Sequence, residues 1–492
     1  MHNTRAINRI IKYLKALVGL GLLCWGFFLL ALLDRQNRQA VAETRQPCVV
    51  LIAVESLRAD FLELYGGRTK VTPELDLLLK ESAVFLNATT CSNDCLASMA
   101  SILTGHYPTG AGLDPRTTNP ATGAGPRLPA DIPTLAEVLR DAGYRTAAFI
   151  NAEALGPGSG VERGFDRYDV VGETWLNPKH PGIPGRQADE TTDAALEWIG
   201  RRVGQPFFLA VHYGDPAADD YGGCGYMAPE RFRRAAGAQS ASNVTDGVVG
   251  RGSMRGKQYL EALNEMARRK GEGQPLAPRE ARSVWLSYQA SVAFVDHEIG
   301  RLLNGLRQSG LYDQTVIVLT ADHGEAFFEH GSYLHETLHR EVVSVPLCIK
   351  FPRGRNPWPK SPFMLTGALA QTTDIVPTLV ELLAVPIDTP PQGVSLLGVL
   401  RKEPPQRHWE YYLGRDGTAG LRDMRVKFLL RLKPRLRAFF DVVNDLNESE
   451  NLAERLVDEQ PMVLVEYVRR LDNLEARLRR RGPLASRVAD AR

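Results

Sequence analysis

The stretch CVVLIAVESLRAD, Cys48 to Asp60, decides how the rest of the chain is read. Its first seven residues, Cys48–Val54, are apolar without interruption and stop at a carboxylate, Glu55. A strand with one wet face alternates polar and apolar side chains; a run without alternation is the pattern of a strand covered on both faces. Similar runs recur in RTAAFI, PFFLAVHY, TVIVLTA and VPLCIKF. Between them lie segments of helical periodicity: TPELDLLLKESAV, TLAEVLRDAG, ETTDAALEWIGRRV, and a helix in which Tyr288, Val292, Val295, Ile299, Leu302 and Leu306 share one face. Strands alternating with helices predict an α/β fold with a mostly parallel central sheet flanked by helices.

The remaining composition narrows the class. The 492 residues carry 44% apolar and 24% charged side chains, the balance of a globular protein. A net charge of +2 supplies no field for nucleic acid, and no nucleic-acid partner is expected. Arg5, Arg9, Lys12 and Lys15 precede ALVGLGLLCWGFFLLALL, Ala16 to Leu33, which contains no charge. About 18 apolar residues suffice to cross a bilayer as a helix, and basic residues ahead of the run favour a cytoplasmic N-terminus. The expected layout is therefore a cytoplasmic segment 1–15, one N-terminal transmembrane signal anchor 16–33 and a tether 34–46. A catalytic domain 47–400, interrupted by a Gly/Ala/Arg-rich insertion 217–282, and a small C-terminal α+β subdomain 405–492 follow, on the extracytoplasmic side (periplasmic or extracellular). A cleaved signal peptide ending at Ala40-Val41-Ala42 is the competing reading, but that triplet lies well beyond the apolar run.

Ligands in open α/β sheets collect beyond the carboxyl ends of the strands. Two such ends carry charge: CVVLIAV runs into Glu55, and TVIVLTADHGEAFFEHG runs into Asp322 and His323. Two carboxylates and an imidazole at one rim predict a divalent cation. Taken singly, Glu55 reads as a cap and DHG as a turn; together they favour the metal.

Ordered blocks then resemble a known family. ESLRADFLELYGG, SMASILTGHYPT, TLAEVLRDAGYRTAAFI, FFLAVHYGDP, VAFVDHEIGRLLNGLRQSGLYDQTVIVLTADHGE and EVVSVPLCIKFPRG are similar to the sulfatase family within the alkaline phosphatase superfamily. The likeness runs from Cys48 to about Ala453. It implies an alkaline-phosphatase-like fold and hydrolysis of sulfate esters on a small molecule or glycan. In CLASM, ahead of SILTG, Cys95 takes the position of a nucleophile that a formylglycine-generating enzyme oxidises, whereas Cys91 has no family role. A thiolate is a poor partner for a hard cation, whereas the hydrated aldehyde offers oxygen. The implied cation is Ca²⁺ first, with Mg²⁺ or Mn²⁺ as alternatives, held by Glu55, Cys95, Asp322 and His323. His335 and His339, in YLHETLHREVVSVPL, fall where the family contacts substrate, and His335 would stabilise a sulfuryl oxygen or protonate the leaving alkoxide. His212, at the end of an apolar strand, divides evenly between a catalytic and a core histidine.

The chain departs from that pattern at three places. Met99 stands where the motif has Arg, Ala217 replaces a frequent proton donor, and Glu55-Ser56 is closer to the lipoteichoic-acid-synthase branch. Two alternatives follow: a phosphoryl-group (phosphoethanolamine or phosphoglycerol) transferase acting on an envelope lipid or glycan, and a catalytically inactive binding protein. In an oxidising compartment Cys91 is expected to bridge to Cys224 and pin the insertion over the site.

Overall fold

The computed structural model describes residues 46–480, apart from 117–126, 171–185, 202–203, 219–225, 227, 238–249, 252–253, 256–257, 259, 266–274, 356–363, 405–406 and 434. The apolar run 16–33 and Cys224 lie outside these. Among the described residues no helix is long and apolar enough to cross a membrane.

Eight strands form the main sheet: β1 (Cys48–Val54), β2 (Ala83–Thr89), β3 (Arg145–Ile150), β4 (Arg167–Val170), β5 (Phe207–Tyr213), β6 (Thr315–Ala321), β7 (Leu347–Lys350) and β8 (Met364–Gln371). Their spatial order is β8-β2-β7-β6-β1-β5-β3-β4. Every pairing is parallel except the two made by β7, so the expected mostly parallel α/β sheet is what forms. Successive side chains of a strand point to opposite faces. Val50, Ile52 and Val54 accordingly enter one core, with Leu75 of α1 (Pro73–Leu79), Trp198 of α4 (Ala188–Gly200) and Tyr288 of α5 (Pro278–Gln308). Val49, Leu51 and Ala53 enter the other, with Met99 of α2 (Cys95–Thr104), Leu135 of α3 (Leu135–Asp141) and Ile375 of α6 (Ile375–Leu383). Two buried faces explain why β1 reads as an unbroken apolar run.

Two elements differ from expectation. The segment read as one helix, TPELDLLLKESAV, gives α1 as far as Leu79, and its end opens β2. The insertion read as ending at 282 instead passes at Pro278 into the 31-residue α5.

The C-terminal part is a four-stranded antiparallel sheet, β9 (Glu410–Leu413), β10 (Ala419–Arg422), β11 (Val426–Arg431) and β12 (Leu436–Asp441), with α7 (Ala453–Glu459) and α8 (Pro461–Arg480). It shares a core with the main body: Cys91 and Tyr107 cluster with Tyr411, Leu413, Phe428 and Phe439. Beside them Arg407 is buried against Asp374, and its guanidinium also donates to Gln371 Oε1 at 3.1 Å and contacts the Tyr107 hydroxyl at 2.5 Å.

Removing one partner of a buried ion pair strands the other. We expect Asp374→Ala to cost about 3–5 kcal/mol. The Asp374→Ala/Arg407→Met double variant should cost less than that single change, read from denaturant midpoints; equal costs would show that the pair is not coupled.

Candidate active site

The sheet order sets β5 and β6 on either side of β1, and the register brings their ends level. Ala53 lies beside His212, and Val54 beside Ala321. Glu55 follows β1 directly, its amide donating to the Tyr213 carbonyl at 2.9 Å. Asp322 follows β6. Cys95 is the first residue of α2, whose N-cap Asp94 accepts from the Ala97 amide at 2.8 Å. One ligand atom from each of Glu55, Cys95, His212 and Asp322 lies within 4.8 Å of the other three.

Asp322 is wholly buried. Its Oδ1 accepts from the amides of His323 (2.7 Å) and Ser56 (3.2 Å). Its Oδ2 has no partner, nor do His323 Nε2 or either ring nitrogen of His212. His212 Nε2 stands 3.8 Å and His323 Nε2 3.7 Å from Asp322 Oδ2, too long for hydrogen bonds. Two atoms each about 2.2 Å from one ion would stand roughly 3.1–3.6 Å apart, so these gaps suit a shared cation. His323 Nδ1 faces the Gly324 carbonyl at 2.9 Å and so carries the proton, which leaves Nε2 with the lone pair a metal needs. The donor set therefore fits a divalent ion.

Charge follows the same logic. Burial raises Asp322, but the adjoining His323 and His212 outweigh it and hold the carboxylate below its ordinary range. The Cys95 thiol is pushed well above its usual value by burial and by the charges of Glu55, Asp322 and Asp94. Without a cation it remains a neutral thiol and a weak nucleophile.

A second group adjoins the first: His323, Glu325 and His335. The His323 and His335 rings stack with centroids 4.3 Å apart. Glu325 accepts from the hydroxyls of Ser56 (2.9 Å) and Tyr226 (2.6 Å), and His335 Nδ1 lies 3.6 Å from it. Burial above all, with His323 alongside, lowers the affinity of His335 for a proton. Ser56 joins the groups in a left-handed conformation, φ 59°, unusual for a side chain with a Cβ. Its amide holds Asp322, its hydroxyl holds Glu325, and its carbonyl accepts from the Tyr288 hydroxyl at 2.7 Å. Local strain of this kind persists where surrounding bonds over-determine it.

Sequence reading and structure part at several side chains. His212, left undecided, shares a group with Glu55, Cys95 and Asp322, while His323, expected there, bridges toward His335. His339, also placed where the family contacts substrate, groups instead with His330 and Glu341, stacks on His330 at 3.8 Å and packs on Phe440 of β12, at the junction with the C-terminal sheet. Cys91 is buried in that junction, and its expected partner Cys224 lies outside the described residues. Met99 lies in the core on the inner side of α2. Glu325, Asn93 and Arg415 were not anticipated. Glu325 had a signal, three residues after Asp322 in DHGE, whereas Asn93 and Arg415 are recruited by tertiary packing alone.

Against known proteins, the sulfatase family model matches residues 47–385. The chain is 25% identical to N-acetylglucosamine-6-O-sulfatase of Bacteroides thetaiotaomicron over 418 residues, 73% of this chain and 72% of the relative. Among solved structures, a protein in complex with its substrate D-glucosamine-2-N,6-O-disulfate superposes with a TM-score of 0.66, 20% identity, and coverage of 88% of this chain and 98% of the other. The phosphonate monoester hydrolase of Agrobacterium radiobacter gives 0.66 and 20%, covering 88% and 96%. At these identities the two structures speak for the fold.

Two outcomes are expected. Saturating Ca²⁺ or Mn²⁺ should raise the melting temperature, by the equivalent of about 2.7 kcal/mol at a hundredfold excess over Kd, and Asp322→Ala should remove that shift. A Cβ at Gly214 would fall 2.1 Å from the Asn151 carbonyl oxygen and 3.3 Å from Glu55 Oε2. Gly214→Ala should therefore displace Glu55 and weaken the same cation response; an unchanged response would count against Glu55 as a ligand.

Proposed function

This chain belongs to the sulfatase family of sulfuric ester hydrolases, and we propose that it cleaves sulfate esters of a sugar or glycan with an oxygen nucleophile made from Cys95. The observation that carries this reading is the convergence of Glu55, Cys95, His212 and Asp322 on one buried point, with ligand atoms left unpartnered there. Glu55, Asp322, His323 and the side chain at position 95 would hold the cation, with His212 beside them. The cation, Ca²⁺ first and Mg²⁺ or Mn²⁺ otherwise, would supply Lewis acidity there when bound.

The chain's own residues do the rest. Since a sulfur ligand is a poor partner for a hard cation, position 95 is served better by formylglycine, whose hydrate presents two hydroxyls. One attacks sulfur as the S–O bond to the sugar breaks, and the departing alkoxide needs a proton. His335 is the group placed to relay it, its Nε2 lone pair taking the proton shed by the attacking hydroxyl and passing it to the alkoxide: its side chain is 17% exposed, whereas His212 is completely enclosed. The second hydroxyl can then lose its proton and expel sulfate as the aldehyde re-forms, so no water has to reach sulfur. Sugar sulfates are favoured by what the relatives are named for acting on. Glu55-Ser56 supports phosphoryl transfer as the second reading.

Mass spectrometry of the peptide containing position 95 separates these. An aldehyde there supports the sulfatase reading, a phosphorylated residue supports the transferase, and unmodified cysteine with no bound cation supports an inactive protein. Cys95→Ala should reduce hydrolysis of a sulfated monosaccharide to background. We also propose that residues 16–33 anchor the protein with the site on the extracytoplasmic side. It should then stay with membranes through a high-salt wash; a soluble form starting near Glu43 would indicate cleavage.

A further inference from the structure

The turn between β9 and β10, part of the C-terminal sheet, reaches back to the candidate site. It is stapled to the residues leading into position 95: the Leu413 amide donates to the Cys91 carbonyl (2.9 Å), and the Ser92 hydroxyl donates to the Leu413 carbonyl (2.7 Å). The Arg415 amide donates to Asn93 Oδ1 (2.9 Å), and Asn93 Nδ2 donates to the His335 carbonyl (2.7 Å). One side chain thus ties the turn, the approach to Cys95 and the His335 loop together.

These bonds aim the Arg415 guanidinium. Its Nη1 lies 3.4 Å from His335 Nε2, and its Nη2 is held by Glu336. Arginine has no acceptor, so His335 presents a lone pair at Nε2 and directs its Nδ1 proton toward Glu325. The side chain is 38% exposed and lines an open cavity of about 610 Å³, with Glu261, Glu265, Glu336 and Asp416. The side chain thus reaches solvent at one end while its Nη1 faces His335 of the buried cluster.

A sulfate ester brings an anion toward Glu55, Asp322 and Glu325, and this chain has an apolar Met99 on α2. Arg58 is near, donating to the Glu325 carbonyl, but it is engaged by Asp60 and Glu329. We propose that Arg415 is the substrate-anchoring residue of this site, taking the non-bridging oxygens of the ester group. The assignment rests on the ester-hydrolase reading above. A guanidinium fork suits a trigonal face of oxygens, and Glu336 fixes one end of the fork so that the other is presented inward. When the anion takes the Nη1 edge, His335 Nε2 is released to face the leaving group.

The test uses the full-length, Ca²⁺-loaded protein and two readouts: calorimetric titration with inorganic sulfate, and kinetics on 4-nitrophenyl sulfate. Arg415→Ala is expected to weaken sulfate binding at least about tenfold and to raise KM similarly with a smaller change in kcat, as loss of a charge-assisted bond requires. Arg415→Lys should fall between it and wild type. Glu336→Gln should lose less sulfate affinity than Arg415→Ala, because the amide oxygen still holds one end of the fork while a carboxylate near the anion is removed. Melting temperatures check that each variant is folded. Sulfate binding by Arg415→Ala within about twofold of wild type would overturn the assignment. So would equal losses in Arg415→Ala and Glu336→Gln, the mark of a structural latch, or a wild type that binds no sulfate. If sulfate binds in an Arg415-dependent way yet no sulfate ester is hydrolysed, the anchoring assignment stands and the hydrolase reading falls.

Discussion

Asp322 lies out of reach of water, and the protein satisfies only one of its oxygens. An uncompensated buried carboxylate is among the costliest things a fold can contain. Here the cost is concentrated, because Glu55 and Cys95 share the same few ångströms and Glu325 sits behind them. The surrounding chain is arranged around that constraint: two amides on Oδ1, two imidazoles facing Oδ2, and Ser56 held in a strained conformation so that it can serve both carboxylates. A site built only for stability would replace such charges with apolar packing. Retaining them supports the proposal that a cation completes the site.

The same constraint explains why the C-terminal sheet is more than a lid. The segment from Cys91 to Asp94 carries β9 on one side and position 95 on the other, with Leu413 and Arg415 bonded to it. The Arg407–Asp374 pair and the stacked His330 and His339 secure further parts of the same junction. The affinity of His330 for a proton is raised: burial opposes this, but Glu341 and the Glu448 carbonyl face its two nitrogens. Movement of the small sheet relative to the large one would be felt at His335 through Asn93.

Much of this was legible in CVVLIAV and TVIVLTA, because strands buried on both faces leave unbroken apolar runs and a charge at the end of such a run is conspicuous. The linkage of Glu55 to Asp322 followed from where strand ends meet. Contacts with no local signature were not legible. AVFLNAT merges into an amphipathic helix, so β2 was partly hidden inside it. Arg415 sits in a polar turn like any other, and nothing near it names Asn93 or His335. His339 sits four residues after His335, and only the fold shows that one faces the site and the other the junction. The TM-like run 16–33 remains a statement about hydropathy.

The strand order also governs when the site can come into being. Ser56 and Asp322 are bonded across 266 residues of sequence. β1 is synthesised first yet ends inside the sheet, between β5 and β6. From the emergence of position 95 to that of Asp322, a chain made at ordinary rates needs on the order of tens of seconds. Throughout that interval CVVLIAV lacks its β6 neighbour and must be shielded from other chains. The thiol of Cys95, partly buried in the finished protein, is meanwhile still on unfolded chain. Under the proposal above, oxidation of position 95 would have to precede the long loop closure between β1 and β6.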